Sequence, residues 1–193
     1  MNKARAESIR KNQQELIAEY IGQIHLPLGK VDVADPCDFA PDTTIYGLAI
    51  GTYGCIIFRE KHPNEQTIWK IQIVLNGAES YVSERRGKYR AWRKVGSVGV
   101  DSGAAGFFDR KKLEPKTKLW ETNCPGAFDI FQPSVGKQVR LPRVTVCPAG
   151  LPVVLDGFWS YTAYGDGRYP VYACRKNGQI VALEIRYFQE VED

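Results

Sequence analysis

Apolar residues in the first part of the chain recur at three- and four-residue steps. Ile9, Leu16, Tyr20 and Ile24, with Ile17 and Ile21 beside them, predict an amphipathic helix over residues 5–22, and Ser8 is placed to cap a shorter version of it. After Gly22 the period falls to two. KVDVAD alternates and GCIIFRE is rich in β-formers. QTIWKIQIV sets Trp69, Ile71 and Ile73 on one face and Ile68, Lys70 and Gln72 on the other. The intervening KHPNE carries turn residues, so residues 54–74 predict a hairpin with a longer loop.

The segment SYVSERRGKYRAWRK starts with helical character that Gly87 interrupts. VGSVGVDSGAAGFFD predicts a strand ending near Asp101 and then a glycine-rich bend. Residues 110–138, with KK, EPK, NCPG and QPSVG, predict loops. VRLPRVTV, LPVVLDGFWSYTAY, YPVYACRK and QIVALEIRYF are strand-like, and Asn177-Gly178 between the last two is a strong two-residue hairpin signal. Strand runs joined by turns outnumber any β-α-β alternation. The expected fold is therefore α+β: a predominantly antiparallel sheet, sandwich-like or strongly curved, with an N-terminal helical extension over residues 1–24 and a β-rich core over 26–188.

The length of 193 residues suits one domain with a substantial core, and 44% hydrophobic with 25% charged residues excludes a disordered chain. The sequence has no run of about 18 apolar residues and no short apolar leader, which predicts a soluble, cytoplasmic protein without a membrane role. Cys37, Cys55, Cys124, Cys147 and Cys174 are odd in number and dispersed, and read as free thiols in a reducing compartment. A net charge of +4 falls short of the balance of a dedicated nucleic-acid-binding domain.

Subtraction narrows the chemistry. His25 and His62 are the only imidazoles, so a Ser-His or Cys-His nucleophile pair would have to use one of them. Zinc-ligand spacing and a phosphate-loop motif are both missing from the sequence. Asp35, Asp101, Asp109 and Asp166 remain, each at a predicted strand end. Brought together, they would bind a divalent cation or divide acid and base roles. Kept apart, they would serve turns, where a carboxylate accepts nearby backbone N–H groups and glycine takes positive φ without steric cost.

The stretch ERRGKYRAWRK offers a second chemistry. Arg85, Arg86, Lys88, Arg90, Arg93 and Lys94 interleave with Tyr89 and Trp92, pairing guanidinium groups for phosphate oxygens with aromatic faces for stacking. Arg110, Lys111, Lys112, Lys116 and Lys118 follow the VDSG bend, so two basic runs bracket a glycine-rich segment. Glu79, Glu84, Glu114 and Glu121 dilute both runs, in keeping with a solvated face. The aromatic residues Phe158, Trp159, Tyr161, Tyr164, Tyr169, Tyr172, Tyr187 and Phe188 are expected mainly in cross-strand packing.

The order LPLGKVDVADP, VGVDSGAAGFFD, YGDGRYPVYACRKNGQIVALEIRYF resembles a bacterial family known only as a domain of unknown function. Its marked positions fall on Asp35 and Pro36, on Asp101, Gly103 and Asp109, and on Gly165, Asp166, Gly167, Tyr169 and Pro170. AIGTYGCIIF departs from that family's proline-bearing strand entry. The resemblance implies no established activity, and by association it favours a binding or immunity-like role in bacteria or phage.

Together these features lead to an expected non-catalytic cytoplasmic binding protein, requiring no cofactor or metal, that acts on a protein partner or a small anionic, nucleotide-like ligand. Nucleic acid is not favoured. The residues expected to contact the ligand are Arg85, Arg86, Lys88, Arg90, Trp92, Arg93, Asp101, Ser102, Asp166 and Arg168. The alternative is a metal-dependent hydrolase of phosphate esters built on Asp35, Asp101 and Asp166.

Overall fold

Strands with an apolar residue at every second position form two sheets that share one core. The computed structural model describes residues 16–35, 42–59, 67–85, 91–109, 139–140, 145–146, 152–153 and 157–187. In chain order the elements are β1 (Ile17–Leu26), β2 (Lys30–Ala34), β3 (Thr43–Tyr46), β4 (Gly51–Arg59), β5 (Ile68–Leu75), α1 (Glu79–Ser83), β6 (Trp92–Val100) and β7 (Ala104–Phe108). They are followed by β8 (Val139–Arg140), β9 (Thr145–Val146), β10 (Pro152–Val153), β11 (Gly157–Tyr161), β12 (Gly167–Lys176) and β13 (Gln179–Arg186). A six-stranded sheet runs β1-β4-β5-β13-β12-β6, a five-stranded sheet runs β3-β2-β7-β11-β8, and β9 pairs with β10. Among the described residues every pairing between these strands is antiparallel.

The expected predominance of antiparallel sheet is present. Alternate residues of the larger sheet, among them Tyr53, Ile57, Ile71, Ile73, Val98, Val171, Leu183 and Ile185, meet Val31, Val33, Ile45, Phe107 and Phe158 of the smaller one in a single cluster. On the other face of the larger sheet, Ala78 and Val82 beside and within α1 cover Val74, Trp92, Cys174 and Ala182. This second layer explains why the central strands are apolar on both faces.

The N-terminal helix is corrected in part. Residues 17–22 form the first half of β1, paired to β4 from Ile17 opposite Arg59 to Leu26 opposite Gly51. A register shift between Tyr20 and Gly22 breaks the two-residue period, so inward positions fall three apart across it and imitate a helical spacing. Residues 5–15 of the predicted helix lie outside the described residues, as do 110–138.

Two turns follow the sequence closely. β4 and β5 form the predicted hairpin. Asn177 and Gly178 both take positive φ, 52° and 84°, as a type I′ turn between β12 and β13 requires.

The two sheets also meet along one seam. Thr43 donates its hydroxyl to the Ser97 carbonyl at 2.7 Å, and Gly99 donates its N–H to Asp42 Oδ2 at 2.6 Å. The outer edge of β6 thus receives side chains from the start of β3, which satisfies backbone groups that an edge strand otherwise leaves to solvent. Gly96 lets β3 come this close: a Cβ there would sit 2.6 Å from Thr43 Cγ2.

Candidate functional site

β2 ends at Ala34, which delivers Asp35 to the bend between β6 and β7. Asp35 is buried, and its Oδ2 accepts the N–H of Asp101 at 2.9 Å and of Ser102 at 2.8 Å, while Oδ1 accepts the Ser102 hydroxyl at 2.5 Å. Asp166, exposed, accepts the next N–H in the bend, that of Gly103, at 3.1 Å. Successive amides of a glycine-containing bend make a concavity for anions. Here two carboxylates of the chain itself occupy it.

The loop carrying Asp166 is held by its own bonds. Thr162 donates its N–H to the Gly103 carbonyl at 2.8 Å, and both the Thr162 and Tyr169 hydroxyls donate to the Gly165 carbonyl, at 2.6 and 2.9 Å. Gly103 and Gly165 have φ of 70° and 74°, a left-handed conformation that glycine adopts without steric cost. Arg168 donates to the Ser97 hydroxyl at 2.8 Å. The structure therefore gathers Asp35, Asp101, Ser102, Asp166 and Arg168 at one end of the sandwich. Among the described residues no group of three or more His, Cys, Asp or Glu side chains is arranged to hold a metal ion. Asp109 is buried beyond the far end of β7, away from this bend.

The basic-aromatic set lies elsewhere. Trp92 begins β6 and Val100 ends it, and at about 3.3 Å per residue this puts Trp92 and Arg93 roughly 25 Å from the Asp101–Gly103 bend. Arg85 also sits at the Trp92 end. Its guanidinium lies 3.4 Å over the Tyr81 ring and donates to the Tyr81 carbonyl at 3.0 Å. Lys176 Nζ is 5.2 Å from the same ring. Trp92 is buried with Val82 and Cys174, whereas Arg93 is exposed. One compact anion pocket made from both the basic stretch and the VDSG bend is thus excluded for Arg85, Trp92 and Arg93. Arg86, Lys88 and Arg90 lie outside the described residues. Of the C-terminal aromatic residues, Phe158, Trp159, Tyr169, Tyr172 and Tyr187 are buried, and Tyr164 is exposed. His25 is exposed and hydrogen-bonds Thr52 Oγ1 at 3.2 Å.

The opposite end of the sandwich, rich in turns where segments 27–29, 47–50 and 177–178 come together, carries residues that the sequence did not single out. Tyr46 and Ile50 are 68% and 69% exposed, and Leu28 is 42% exposed. They sit on backbone that is tightly fixed. Leu48 donates its N–H to the Gly29 carbonyl, Ala49 to the Ile180 carbonyl and Ile180 to the Gly47 carbonyl, each at 2.9 Å. The Tyr53 hydroxyl, itself buried in the core, donates to the Ala49 carbonyl at 2.7 Å. A Cβ on Gly29 would meet the Leu48 carbonyl oxygen at 2.8 Å and Ile50 Cγ1 at 3.7 Å, which places Ile50 beside the 27–29 turn. Lys30, opposite Tyr46, and Arg175, whose guanidinium reaches the Gly178 carbonyl at 3.0 Å, put cations beside this apolar group.

A second unforeseen cluster is buried in the larger sheet. Glu184 lies 3.0 Å from Lys70 and 2.5 Å from Arg186, and Gln72 donates to it at 3.2 Å. Lys70 stands over the Phe58 ring and Arg186 over Tyr172. Burial acts to raise the Glu184 carboxyl, but the adjacent Lys70 and Arg186 charges override it and hold the group below the usual carboxylate range. Burial also pushes the Tyr53 and Tyr187 phenols and the Cys55 and Cys174 thiols up, which leaves them neutral at physiological pH.

Comparison of the chain with protein-family models, curated proteins and solved structures returns no match. The resemblance drawn from its motifs therefore rests on those residues alone.

Proposed function

We propose that this chain is a non-catalytic binding domain that engages a protein partner through its turn-rich end, with Tyr46, Ile50 and Leu28 as apolar anchors and Lys30, Arg175 and Lys176 favouring an acidic rim on the partner. The single observation behind this reading is that Tyr46 and Ile50, each more than two-thirds exposed, stand on a segment clamped on both sides by backbone hydrogen bonds. Exposed anchors on a rigid support lose little freedom on binding, so more of their contact energy contributes to affinity. Tyrosine and arginine are enriched at the centres of such interfaces.

A small anionic ligand, held where Arg85 and Lys176 approach the Tyr81 ring, is the narrower form of the same proposal. Its setting is the cytoplasm of a bacterium or phage-infected cell, in the immunity-like role implied by the motif resemblance. The acidic residues at the other end contribute to shape: both Asp35 oxygens and Asp166 Oδ1 already receive N–H or O–H donors from the 101–103 bend.

The test is comparative. Immobilised wild-type protein and a Tyr46→Ala/Ile50→Asp variant are exposed to the same cell extract, and a panel of nucleotides and cyclic dinucleotides is assayed by thermal shift at low and high salt. The proposal expects proteins retained by the wild type and lost with the variant, or a nucleotide stabiliser that weakens as salt rises. Identical retention by both proteins together with a flat nucleotide response would refute it.

A further inference from the structure

We propose that the outer edge of β1, which ends the larger sheet among the described residues, pairs antiparallel with β1 of a second copy of this chain, making a dimer about a two-fold axis through the Ala18 pair. β1 spans ten residues, and among the described residues β4 is its only strand partner. Ile17, Ala18, Glu19 and Tyr20 are all exposed, with Tyr20 at 59%. A strand of this kind presents a row of outward backbone donors and acceptors, and proteins that avoid association blunt the row with proline, lysine or an unpaired inward charge. Proline and lysine are missing from β1, its one acidic residue, Glu19, is held by Arg59 of β4 at 2.8 Å, and its one irregularity, between Tyr20 and Gly22, lies at the end of the Ile17–Tyr20 stretch rather than within it.

The sequence of the edge selects the register. Directly opposed residues of an antiparallel pair point to the same face, so a two-fold axis must pass through a residue. Centring on Glu19 would set two carboxylates opposite one another. A register centred on Tyr20 would run into the irregularity between Tyr20 and Gly22. Centring on Ala18 meets neither obstacle. It places Ala18 opposite Ala18, Ile17 opposite Glu19, and Leu16 opposite Tyr20, which joins an apolar side chain to an aromatic one on the outer face. The contact joins identical patches and closes after two copies, as an isologous interface does.

Two measurements test this independently of the partner proposed above. Sedimentation equilibrium of the wild type should show a concentration-dependent monomer–dimer mixture, and Ile17→Lys/Tyr20→Lys, both at exposed positions, should raise the dimer dissociation constant by about tenfold or more. Ala18→Cys should form a disulfide-linked dimer under mild oxidation, because opposed Cβ atoms about 4.5–5.5 Å apart come within reach of a bridge with small backbone adjustment. Tyr46→Cys, also exposed and at the other end of the strands, serves as the control. A wild type that stays monomeric at every concentration, a dimer indifferent to the lysine pair, or cross-linking of Ala18→Cys no faster than Tyr46→Cys would each overturn the proposal.

Discussion

Ser102 gives Asp35 two hydrogen bonds, one from its backbone N–H at 2.8 Å and one from its hydroxyl at 2.5 Å. With the Asp101 N–H on the same carboxylate, β2 is tied to the bend that reverses β6 into β7. Asp35 is 1% exposed, so water cannot replace it freely. Asp35→Ala should lower stability by about 2–4 kcal/mol, since several donors are orphaned together, and Ser102→Ala by about 1–2 kcal/mol. Chemical denaturation of both variants checks the order.

Asp166 performs a similar task under different conditions. It is exposed and accepts one bond, at 3.1 Å, from Gly103. Solvent can take over much of that bond, so Asp166→Ala should cost only about 0.5–1 kcal/mol. A loss as large as that of Asp35→Ala would show that the loop from Thr162 to Gly167 depends on this carboxylate rather than on the Thr162 and Tyr169 hydroxyls.

The seam between β3 and β6 predicts a coupled pair. A methyl at position 96 would press on Thr43 Cγ2, and a β-branched side chain has few other rotamers to adopt. Gly96→Ala should destabilise by about 1–3 kcal/mol. Adding Thr43→Ala should recover part of that loss, although it also removes the hydroxyl bond to Ser97. A double-mutant cycle that comes out additive would mean that the two residues do not share this contact.

Glu184 predicts acid sensitivity. Its folded carboxyl titrates below its unfolded value, so its stabilising contribution is complete above the unfolded value and is lost as pH falls through that value toward the folded one. Glu184→Gln should therefore destabilise the protein at neutral pH, leaving Lys70 and Arg186 without their anion, and should flatten the decline in stability as pH falls below the ordinary carboxylate range. Melting temperatures of the two proteins from neutral pH down into the acid range provide the check.

Much of this architecture was legible in the sequence because it rests on local chemistry. Asn177-Gly178 specifies its hairpin through the positive φ that both positions need, and the β4–β5 hairpin follows from alternation flanking a turn. β1 was misread because the shift between Tyr20 and Gly22 spaces its residues like a helix. Lys70, Gln72, Glu184 and Arg186 also alternate with apolar neighbours, which reads as a solvent-facing side. Only the pairing of Gln72 with Glu184 and Lys70 with Arg186 across strands far apart in sequence brings those charges together in a buried position. The acidic bend was visible residue by residue as turn chemistry. Its separation from Arg85 and Trp92 depends on the full length of β6, and the exposure of Tyr46 and Ile50 depends on which sides of the 46–50 segment the neighbouring turns cover.

The central claim is that binding resides at Tyr46 and Ile50 while the acidic bend serves the fold. Its most direct test is retention of binding partners from one extract by three proteins: wild type, Tyr46→Ala/Ile50→Asp, and Asp101→Asn/Asp166→Asn. The expected result is that partners held by the wild type are kept by the double asparagine variant and lost by the Tyr46/Ile50 variant. The opposite pattern, with binding surviving the loss of Tyr46 and Ile50 but not of the two carboxylates, would contradict the account.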